Sequence, residues 1–380
     1  MLDEKYKKAA RSIVKAGVFP IPINDTMIEI LKLLINEEEL EFIMAFSRKS
    51  SQNTEQLKQS SKLSEEQIQK HAKSLARKGI IFNQPNSEGI MVYRLMPLIM
   101  VGVFEYAFMK KLQFNENEKK LAKLFTQLFK ELSDFIQSNY STIAPFFEKL
   151  SPYDRTIPIL DNSVSGKEIE ISINEEIDVP EEKVIPTQKI EEILKKSDYI
   201  AVGHCFCRHH KDLLGDSCKT TELRENCFTL GKSARYCVEQ GFARKISREE
   251  ALKILKDSEK DGLVHKIFHP NSDLAREESS FCNCCKCCCG TLGWWRMGVT
   301  ALNNWTNFLS HVNENLCTGC GTCIEKCPVD AIYLNDDIKA EINKSRCIGC
   351  GVCAHFCPEG AISLLEGMRR VYEAVPKLRN

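Results

Sequence analysis

The first part of the chain places apolar residues at helical spacing and then alternates them as in strands. From Asp25 to about Lys111, apolar positions recur every three or four residues through IEILKLLINEEELEFIMAF, which predicts amphipathic helix. The next run, NTEQLKQSSKLSEEQIQKHAKSLARKGIIF, predicts a helix, a short turn and a second helix, with Ser64 and Gln67 as a capping box and Gly79 as the stop. IIFNQPNSEGIMVYRLMP then predicts a two-stranded hairpin.

Three helices followed by a hairpin resemble a winged helix-turn-helix domain over residues 25–112, after an N-terminal segment at 1–24. DNA binding would use the helix near Ser64–Lys78. Its net charge is only +2, from Glu65 and Glu66 against Lys70, Lys73, Arg77 and Lys78. Because phosphate contacts dominate DNA affinity, so weakly basic a helix favours protein docking or a homodimer through this domain, and nucleic acid is not favoured as a partner.

The pattern divides the rest of the chain into five segments. A helical extension covers 113–150, with a helix predicted to end before Pro145, and a linker rich in Pro, Ser and charge covers 151–186. A cysteine-rich α/β central domain follows at 187–311, then a C-terminal domain with two copies of a cysteine motif at 312–368 and a basic tail at 369–380. The predicted fold class is therefore multidomain α+β.

Composition narrows the chemistry. The 380 residues include 19 cysteines, all at or beyond Cys205, and carry a formal net charge of zero. No apolar run reaches the roughly 18–20 residues that a membrane span needs, and the N-terminus lacks the apolar core of a secretory signal. We therefore expect a cytoplasmic protein without a membrane span. A reducing cytosol keeps thiols free of disulfides, which favours metal binding.

The most specific signal is a repeated cysteine motif near the C-terminus. CTGCGTCIEKCP at Cys317–Pro328 and CIGCGVCAHFCP at Cys347–Pro358 both read C-x2-C-x2-C-x3-C-P, and matching residues follow each copy. This duplication is the signature of bacterial ferredoxins with two [4Fe–4S] clusters. Zinc is the alternative, but these paired runs are poor tetrahedral zinc sites.

The resemblance to bacterial ferredoxins implies two ligand sets. One cluster takes Cys317, Cys320, Cys323 and Cys357, and the second takes Cys347, Cys350, Cys353 and Cys327. Glycines within the motifs are expected to let backbone amides approach the cluster sulfides; they are Gly319, Gly321, Gly349 and Gly351. Residues 312–366 carry eight acidic and four basic side chains, a net charge of −4, which suits a positively charged redox partner.

A looser cysteine group lies upstream and could hold a third cluster: Cys205, Cys207, Cys218 and Cys227. If the backbone is extended, Cys205 and Cys207 point to the same face. Zinc remains an alternative here. The neighbouring histidines are either hydrogen-bonded neighbours of a cluster or, as in Rieske-type centres, ligands; they are His204, His209 and His210. Cys237 lies in a helical pattern and is interpreted as a packed thiol.

The densest run, FCNCCKCCCG at 281–290, could contribute to a third or fourth cluster through Cys282, Cys284, Cys285, Cys287, Cys288 and Cys289. An extended backbone would send the even-numbered cysteines to one face and the odd-numbered ones to the other, which predicts two separate centres. A metallothionein-like zinc or copper store is one alternative. Ligation by only three or four of the six thiols is another. The nearby tryptophans either shield a cluster or, as we favour, pack a domain seam; they are Trp294, Trp295 and Trp305.

Taken in order, YIAVGHCFCRHH, ISREEALKILKDSEKDGLVH, FCNCCKCCCG and the double motif resemble the 4Fe–4S ferredoxin-type, iron–sulfur-binding-domain proteins of anaerobic bacteria and archaea, over roughly residues 180–368. The resemblance implies two [4Fe–4S] clusters, one or two further iron–sulfur clusters, and low-potential electron transfer to a redox partner protein. One alternative is a reductase acting on a small molecule at an open central cluster. Another is a redox-responsive winged-helix regulator. The sequence names no catalytic residue.

Overall fold

The structure, a computed structural model, describes residues 2–160, 169–173, 189–270 and 276–378. The chain folds as two compact units. Unit 1 comprises Met1–Phe135, Gly203–Ser217 and Lys232–Lys245. Unit 2 comprises Ile136–Val202, Cys218–Gly231 and Ile246–Asn380. The structure thus divides the chain differently from the row of consecutive domains that the pattern predicts, because the cysteine-rich segment contributes to both units.

The helices, in chain order, are α1 Leu2–Ala16, α2 Asp25–Leu34, α3 Glu37–Met44, α4 Thr54–Ser61, α5 Glu65–Arg77, α6 Val103–Met109, α7 Glu116–Ser138, α8 Tyr140–Lys149, α9 Ile190–Lys196, α10 Phe206–Leu213, α11 Gly231–Gln240, α12 Arg248–Lys260, α13 Gly290–Arg296, α14 Thr322–Lys326 and α15 Val352–His355. Among the helices described, none combines the length and apolar character that a bilayer crossing requires.

The strands are β1 Ser51–Asn53, β2 Ile81–Pro85, β3 Met91–Leu95, β4 Asp154–Ile157, β5 Ile171–Ile173, β6 Ile200–His204, β7 Glu225–Leu230, β8 Ala243–Lys245, β9 Val264–Phe268, β10 Ser280–Cys284, β11 Leu302–Val312, β12 Ile332–Leu334, β13 Ala340–Ile342 and β14 Ile362–Glu373.

The predicted hairpin and the two helices before it, α4 and α5, are present in unit 1. The one helix predicted through residues 28–46 is instead two, α2 and α3, because Asn36 caps the start of α3, and α1 and β1 are further elements of unit 1. Its three strands form an antiparallel sheet in the order β1-β3-β2, and α4 and α5 lie between β1 and β2 in the chain. The predicted capping box is present, since the Ser64 side chain accepts from the Gln67 amide and the Gln67 side chain accepts from the Ser64 amide. Gly79 follows the end of α5 with φ +73. Assignment to the winged-helix fold itself stays a prediction.

A mixed sheet runs through unit 2. Those of its strands that lie wholly or mainly in unit 2 follow the order β5-β14-β11-β4-β9-β10-β7-β6. The longest pairing is antiparallel, between β11 and β14, and brings Val312 opposite Ile362. Both ferredoxin motifs therefore lie in the segment that connects two neighbouring strands of this sheet.

The predicted linker at 151–186 is wrong for its first part. Residues 154–157 form β4, which is buried and pairs with β11 and β9. The hydrophobic pattern of the sequence does not reveal this strand, because two of its side chains are charged and form ion pairs inside the unit. Asp154 forms a 2.9 Å ion pair with Lys266, and Arg155 forms a 2.8 Å ion pair with Glu278. Most of the remaining predicted linker lies outside the described residues.

The helical extension contains two helices. α7 ends at Ser138, before Pro145, as predicted, and a second helix, α8, begins at Tyr140 and contains Pro145. Cys237 is fully buried in α11, as predicted for a packed thiol.

Candidate iron–sulfur and metal centres

The first ferredoxin quartet is Cys317, Cys320, Cys323 and Cys357. These four residues line one cavity together with Gly319 and Gly321. Cys320 is exposed and Cys317 is half-buried, whereas Cys323 and Cys357 are buried. Burial and the neighbouring thiols raise the pKa of Cys323 to about 11, so a bound metal must displace protons from this site.

The second ferredoxin quartet is Cys327, Cys347, Cys350 and Cys353, and each of its thiols is at most 7% exposed. Burial raises the pKa of Cys350, with Cys327 and Cys347 close enough to reinforce the effect. Ser310, on β11, places its hydroxyl 3.3 Å from the sulfur of Cys353. The two quartets therefore differ in solvent access, the first being partly open and the second enclosed.

Backbone amides point at sulfur in the same way in both repeats. The amide of Ala331 donates to the Cys327 sulfur at 3.2 Å, and the amide of Ala361 donates to the Cys357 sulfur at 3.3 Å. Each donor lies four residues after its cysteine. Such N–H···S bonds stabilise thiolate charge and tune cluster potential, so this donor set fits iron–sulfur ligation.

The four predicted cluster glycines all have positive φ, between +62 and +77. Three of them also leave no room for a side chain: a Cβ would lie 2.1 Å from the Ile338 carbonyl oxygen at Gly319, 2.2 Å from that of Phe308 at Gly349, and 2.3 Å from that of Ile159 at Gly351. Gly321 has open space instead. These loops therefore need glycine for conformation, and three positions need it for close backbone approach as well.

A four-thiol group brings together Cys218, Cys285, Cys287 and Cys288, with all four sulfurs within 4.8 Å of one another. Cys218 lies 3.7 Å from Cys285 and 3.5 Å from Cys287, measured between sulfurs. Cys287 and Cys288 are 3.5 Å apart. β10 ends at Cys284, and the turn that follows allows three near-consecutive thiols to converge.

An inner thiol group lies at the end of β10 and contains Cys227, Cys282, Cys284 and Cys289. Cys227 and Cys282 are register partners on β7 and β10, with their sulfurs 3.9 Å apart. The thiols of Cys282 and Cys289, together with burial, raise the pKa of Cys284. Cys284 and Cys289 are buried in one apolar core together with the second ferredoxin quartet.

These groupings correct two predictions. The odd and even cysteines of the dense run do not sort onto separate centres, because the extended backbone stops at Cys284 and the turn places Cys285, Cys287 and Cys288 together. The upstream set of Cys205, Cys207, Cys218 and Cys227 is also not the grouping found. Cys218 joins the four-thiol group, and Cys227 lies opposite Cys282.

Cys205 and Cys207 belong to unit 1, where α10 begins at Phe206. The two cysteines are therefore not on one extended strand, as the same-face prediction assumes. The nearby histidines form hydrogen bonds with backbone carbonyl groups: His209 with Phe108 at 2.9 Å and His210 with Ala122 at 3.0 Å. Burial lowers the pKa of His210 to about 4, so the ring is neutral at pH 7.

Sequence reasoning missed an ion-pair network between the dense run and the ferredoxin segment. Lys286 and Arg296 both reach Asp330, each at 2.9 Å. Burial alone would raise the pKa of Asp330, but these two cations outweigh it and lower that pKa. Arg296 also donates to the Pro328 carbonyl, and Lys286 donates to the Glu325 carbonyl at 3.0 Å. No motif marks these residues, since their role depends on which loops meet.

Trp295 packs in the same core as the second ferredoxin quartet and donates to the Ala374 carbonyl at 3.1 Å. The Arg346 guanidinium lies 5.0 Å from the centre of its ring. Trp295 therefore helps to fill this core. The predicted roles of the tryptophans in shielding a cluster and in packing a domain seam stay predictions.

Two quartets at these spacings define a ferredoxin-type domain with two clusters. Residues 316–361 match the family described as "4Fe-4S dicluster domain". A probable ferredoxin from Methanosarcina thermophila is 59% identical over 29 residues, which are 8% of this chain and 50% of that protein. The match thus spans half the length of this relative. No solved structure matches the chain.

The chain is thus an iron–sulfur protein with a ferredoxin-type domain that binds two [4Fe–4S] clusters. The additional cysteines, including the four-thiol group, allow further metal or iron–sulfur sites.

Proposed function

We propose that this protein transfers single electrons between a basic redox partner, docked beside the first ferredoxin quartet, and a centre held by the inner thiol group. The observation that carries the proposal is the difference in solvent access between the two quartets. The first quartet reaches the surface through Cys320, whereas all four cysteines of the second are buried. Cys284 and Cys289 share one apolar core with the second quartet and with Cys323 and Cys357 of the first. A [4Fe–4S] cluster bound by either quartet would supply one-electron chemistry.

The rim of the first quartet has the features of a docking surface. Leu316 and Ile338 are 50% and 63% exposed and flank the Cys317 loop. Lys339 donates to the Cys317 carbonyl, and the Ala340 amide lies 3.4 Å from the Cys317 sulfur, so the β12–β13 turn covers this loop. The exposed acids around this small apolar patch are Glu314, Asp336, Asp337 and Glu359. Such a surface favours a partner with a basic rim and an apolar centre.

The N-terminal part supports a docking role better than DNA binding. We propose a winged-helix arrangement for it, on the basis of the β1-β3-β2 sheet and the position of α4 and α5. Lys78, counted as basic in the predicted reading helix, is bonded to buried Glu39. Glu239 also lines the groove beside Lys73 and Arg77. An acidic side chain in this groove opposes phosphate binding. The small-molecule reductase hypothesis stays a prediction.

The proposal can be tested with a basic c-type cytochrome as the probe. Protein reduced under anaerobic conditions is mixed with the ferric cytochrome, and the haem absorbance reports the passage of one electron. We expect the Asp336→Asn/Asp337→Asn variant to react several-fold more slowly at low ionic strength, because it weakens electrostatic steering. The difference should disappear at high salt.

The matched control is Glu66→Gln/Glu88→Gln, which removes two exposed carboxylates from unit 1. This variant should react like the unaltered protein at every salt concentration. Equal rates and equal salt dependence for both double variants would rule out docking at the acidic rim.

A further inference from the structure

The four-thiol group of Cys218, Cys285, Cys287 and Cys288 has dimensions that distinguish one metal ion from a cluster. The three sulfur–sulfur distances given above lie between 3.5 and 3.7 Å. Metal–thiolate bonds of about 2.3 Å place tetrahedral ligands about 3.8 Å apart. The observed separations agree with that value.

A cubane requires a much wider cage. Four irons and four sulfides lie between its cysteine ligands, so the ligand sulfurs must stand about 6 Å apart. Among the residues that the structure describes, neither ferredoxin quartet brings its sulfurs together as closely as the four-thiol group does. The four-thiol group is therefore more compact than either ferredoxin quartet.

The surroundings of the four-thiol group suit a closed site. Cys218, Cys285 and Cys288 are buried with Leu263, while Cys287 is exposed. The Thr220 hydroxyl lies 3.3 Å from the Cys287 sulfur and can stabilise charge on the most solvated ligand. Four protein thiolates occupy all four coordination positions of a tetrahedral metal ion and leave none for a substrate. This arrangement is typical of structural or electron-transfer sites and not of catalytic ones.

We propose that Cys218, Cys285, Cys287 and Cys288 bind a single tetrahedral metal ion, zinc or iron, in a site separate from the cubane clusters. The site also orders the turn that presents Lys286 to Asp330, because Lys286 lies between two of its ligands. This inference does not depend on the proposed electron-transfer partner.

The first test is the metal and acid-labile sulfide content of protein purified without oxygen. Each cubane adds iron and sulfide in equal number, so any count of cubanes leaves no excess of metal over sulfide. We expect an excess of about one metal ion per chain. Elemental analysis then distinguishes a zinc site from an iron site, and either ion supports the proposal. An excess of zero overturns it, and this measurement needs no variant to fold.

The second test removes the exposed ligand with Cys287→Ser. We expect this variant to lose about one metal ion while its sulfide content stays unchanged. Cys237→Ser is the control, because Cys237 is a buried thiol of α11 outside both thiol groups; it should keep the full metal content. Loss of iron and sulfide together, about four of each, would identify a cubane and overturn the proposal. Unchanged metal content in Cys287→Ser would also overturn it.

Discussion

Equivalent glycines in the two ferredoxin motifs are placed in different surroundings. Gly321 and Gly351 follow the second cysteine of each motif and have similar φ values of +77 and +74. Replacing either glycine by alanine should therefore cause a similar backbone strain. Only Gly351 lacks space, because a Cβ there would meet the Ile159 carbonyl oxygen at 2.3 Å.

Gly321→Ala should cost about 1–2 kcal/mol of stability through its left-handed backbone alone. Gly351→Ala should in addition displace the backbone at Ile159, two residues after β4, and lower occupancy of the second quartet, with a loss of up to about four irons per chain. Iron content and the thermal unfolding midpoint check both expectations. Equal losses in the two variants would mean that the contact with Ile159 is unimportant.

At the residue scale, the sequence shows which residues can bind metal better than it shows which of them share one centre. Regular spacing predicts the ferredoxin cysteines as two sets, because each motif is a local loop. The other thiols are grouped by strand register and by a turn. Cys227 lies opposite Cys282 because β7 pairs with β10, and the spacing of the cysteines along the sequence does not predict that pairing. The change from strand to turn after Cys284 likewise decides which thiols share a centre.

Within unit 1, a buried carboxylate joins two helices. Glu39 of α3 accepts from Lys78 at 2.6 and 2.7 Å and from the Ser74 hydroxyl at 2.6 Å, and its side chain is only 2% exposed. Burial would raise the pKa of Glu39, but the bonds from Lys78, Ser74 and the Asn36 amide outweigh it and lower that pKa. The pair therefore stabilises the contact between α3 and α5.

Lys78→Met should destabilise unit 1 by about 3 kcal/mol, since it leaves a buried carboxylate without its cation. Hydrogen exchange in α3 and α5, followed by mass spectrometry, measures the effect locally. Lys70→Met, within α5, is the control, because Lys70 and Glu38 are 3.9 Å apart and both largely exposed. Similar exchange rates in the two variants would contradict a role for Glu39 in joining the helices.

The pH dependence of this contact follows from the direction of the Glu39 pKa. A carboxyl group whose pKa is lower in the folded state stabilises the fold above its unfolded pKa and loses that contribution on acidification. Exchange in α3 and α5, corrected for its intrinsic pH dependence, should therefore accelerate as the pH falls below the ordinary glutamate value of 4.5. Acceleration on raising the pH through the same range would contradict this assignment.

At the scale of elements, the pattern predicts α4, α5 and the β2–β3 hairpin well, because both helices are capped by local side chains. β4 is missed for the opposite reason. Its interior positions carry Asp154 and Arg155, whose partners Lys266 and Glu278 are more than a hundred residues away. A hydrophobic pattern cannot mark a strand that is buried through distant charge pairs.

Across the whole molecule, the two ferredoxin quartets should lose metal at different rates. Solvent reaches the first quartet through Cys320, while the second is buried throughout. With a chelator or limited oxygen, we expect iron release in two phases, the faster one removing about four irons. Absorbance of the iron–chelator complex gives the rates. Cys320→Ala should lack the fast phase, and a single phase in the unaltered protein would contradict this order.

The division into two units could not be predicted from a pass along the chain. Composition changes sharply at the first cysteines, which suggests a boundary there. The polypeptide instead enters unit 1 again at 203–217 and 232–245. Neither segment differs in hydrophobicity or in cysteine content from its neighbours in a way that assigns it to a unit.

The position of the ferredoxin motifs between β11 and β14 has an evolutionary and practical consequence. Val312 and Ile362 are register partners, so the two ends of the cluster-binding segment meet side by side. Topologically, the segment is the loop of a very long β-hairpin. A sheet with an ordinary short turn between these two strands could gain or lose the whole cluster-binding segment by one insertion or deletion. The order of the strands in the sheet would not change.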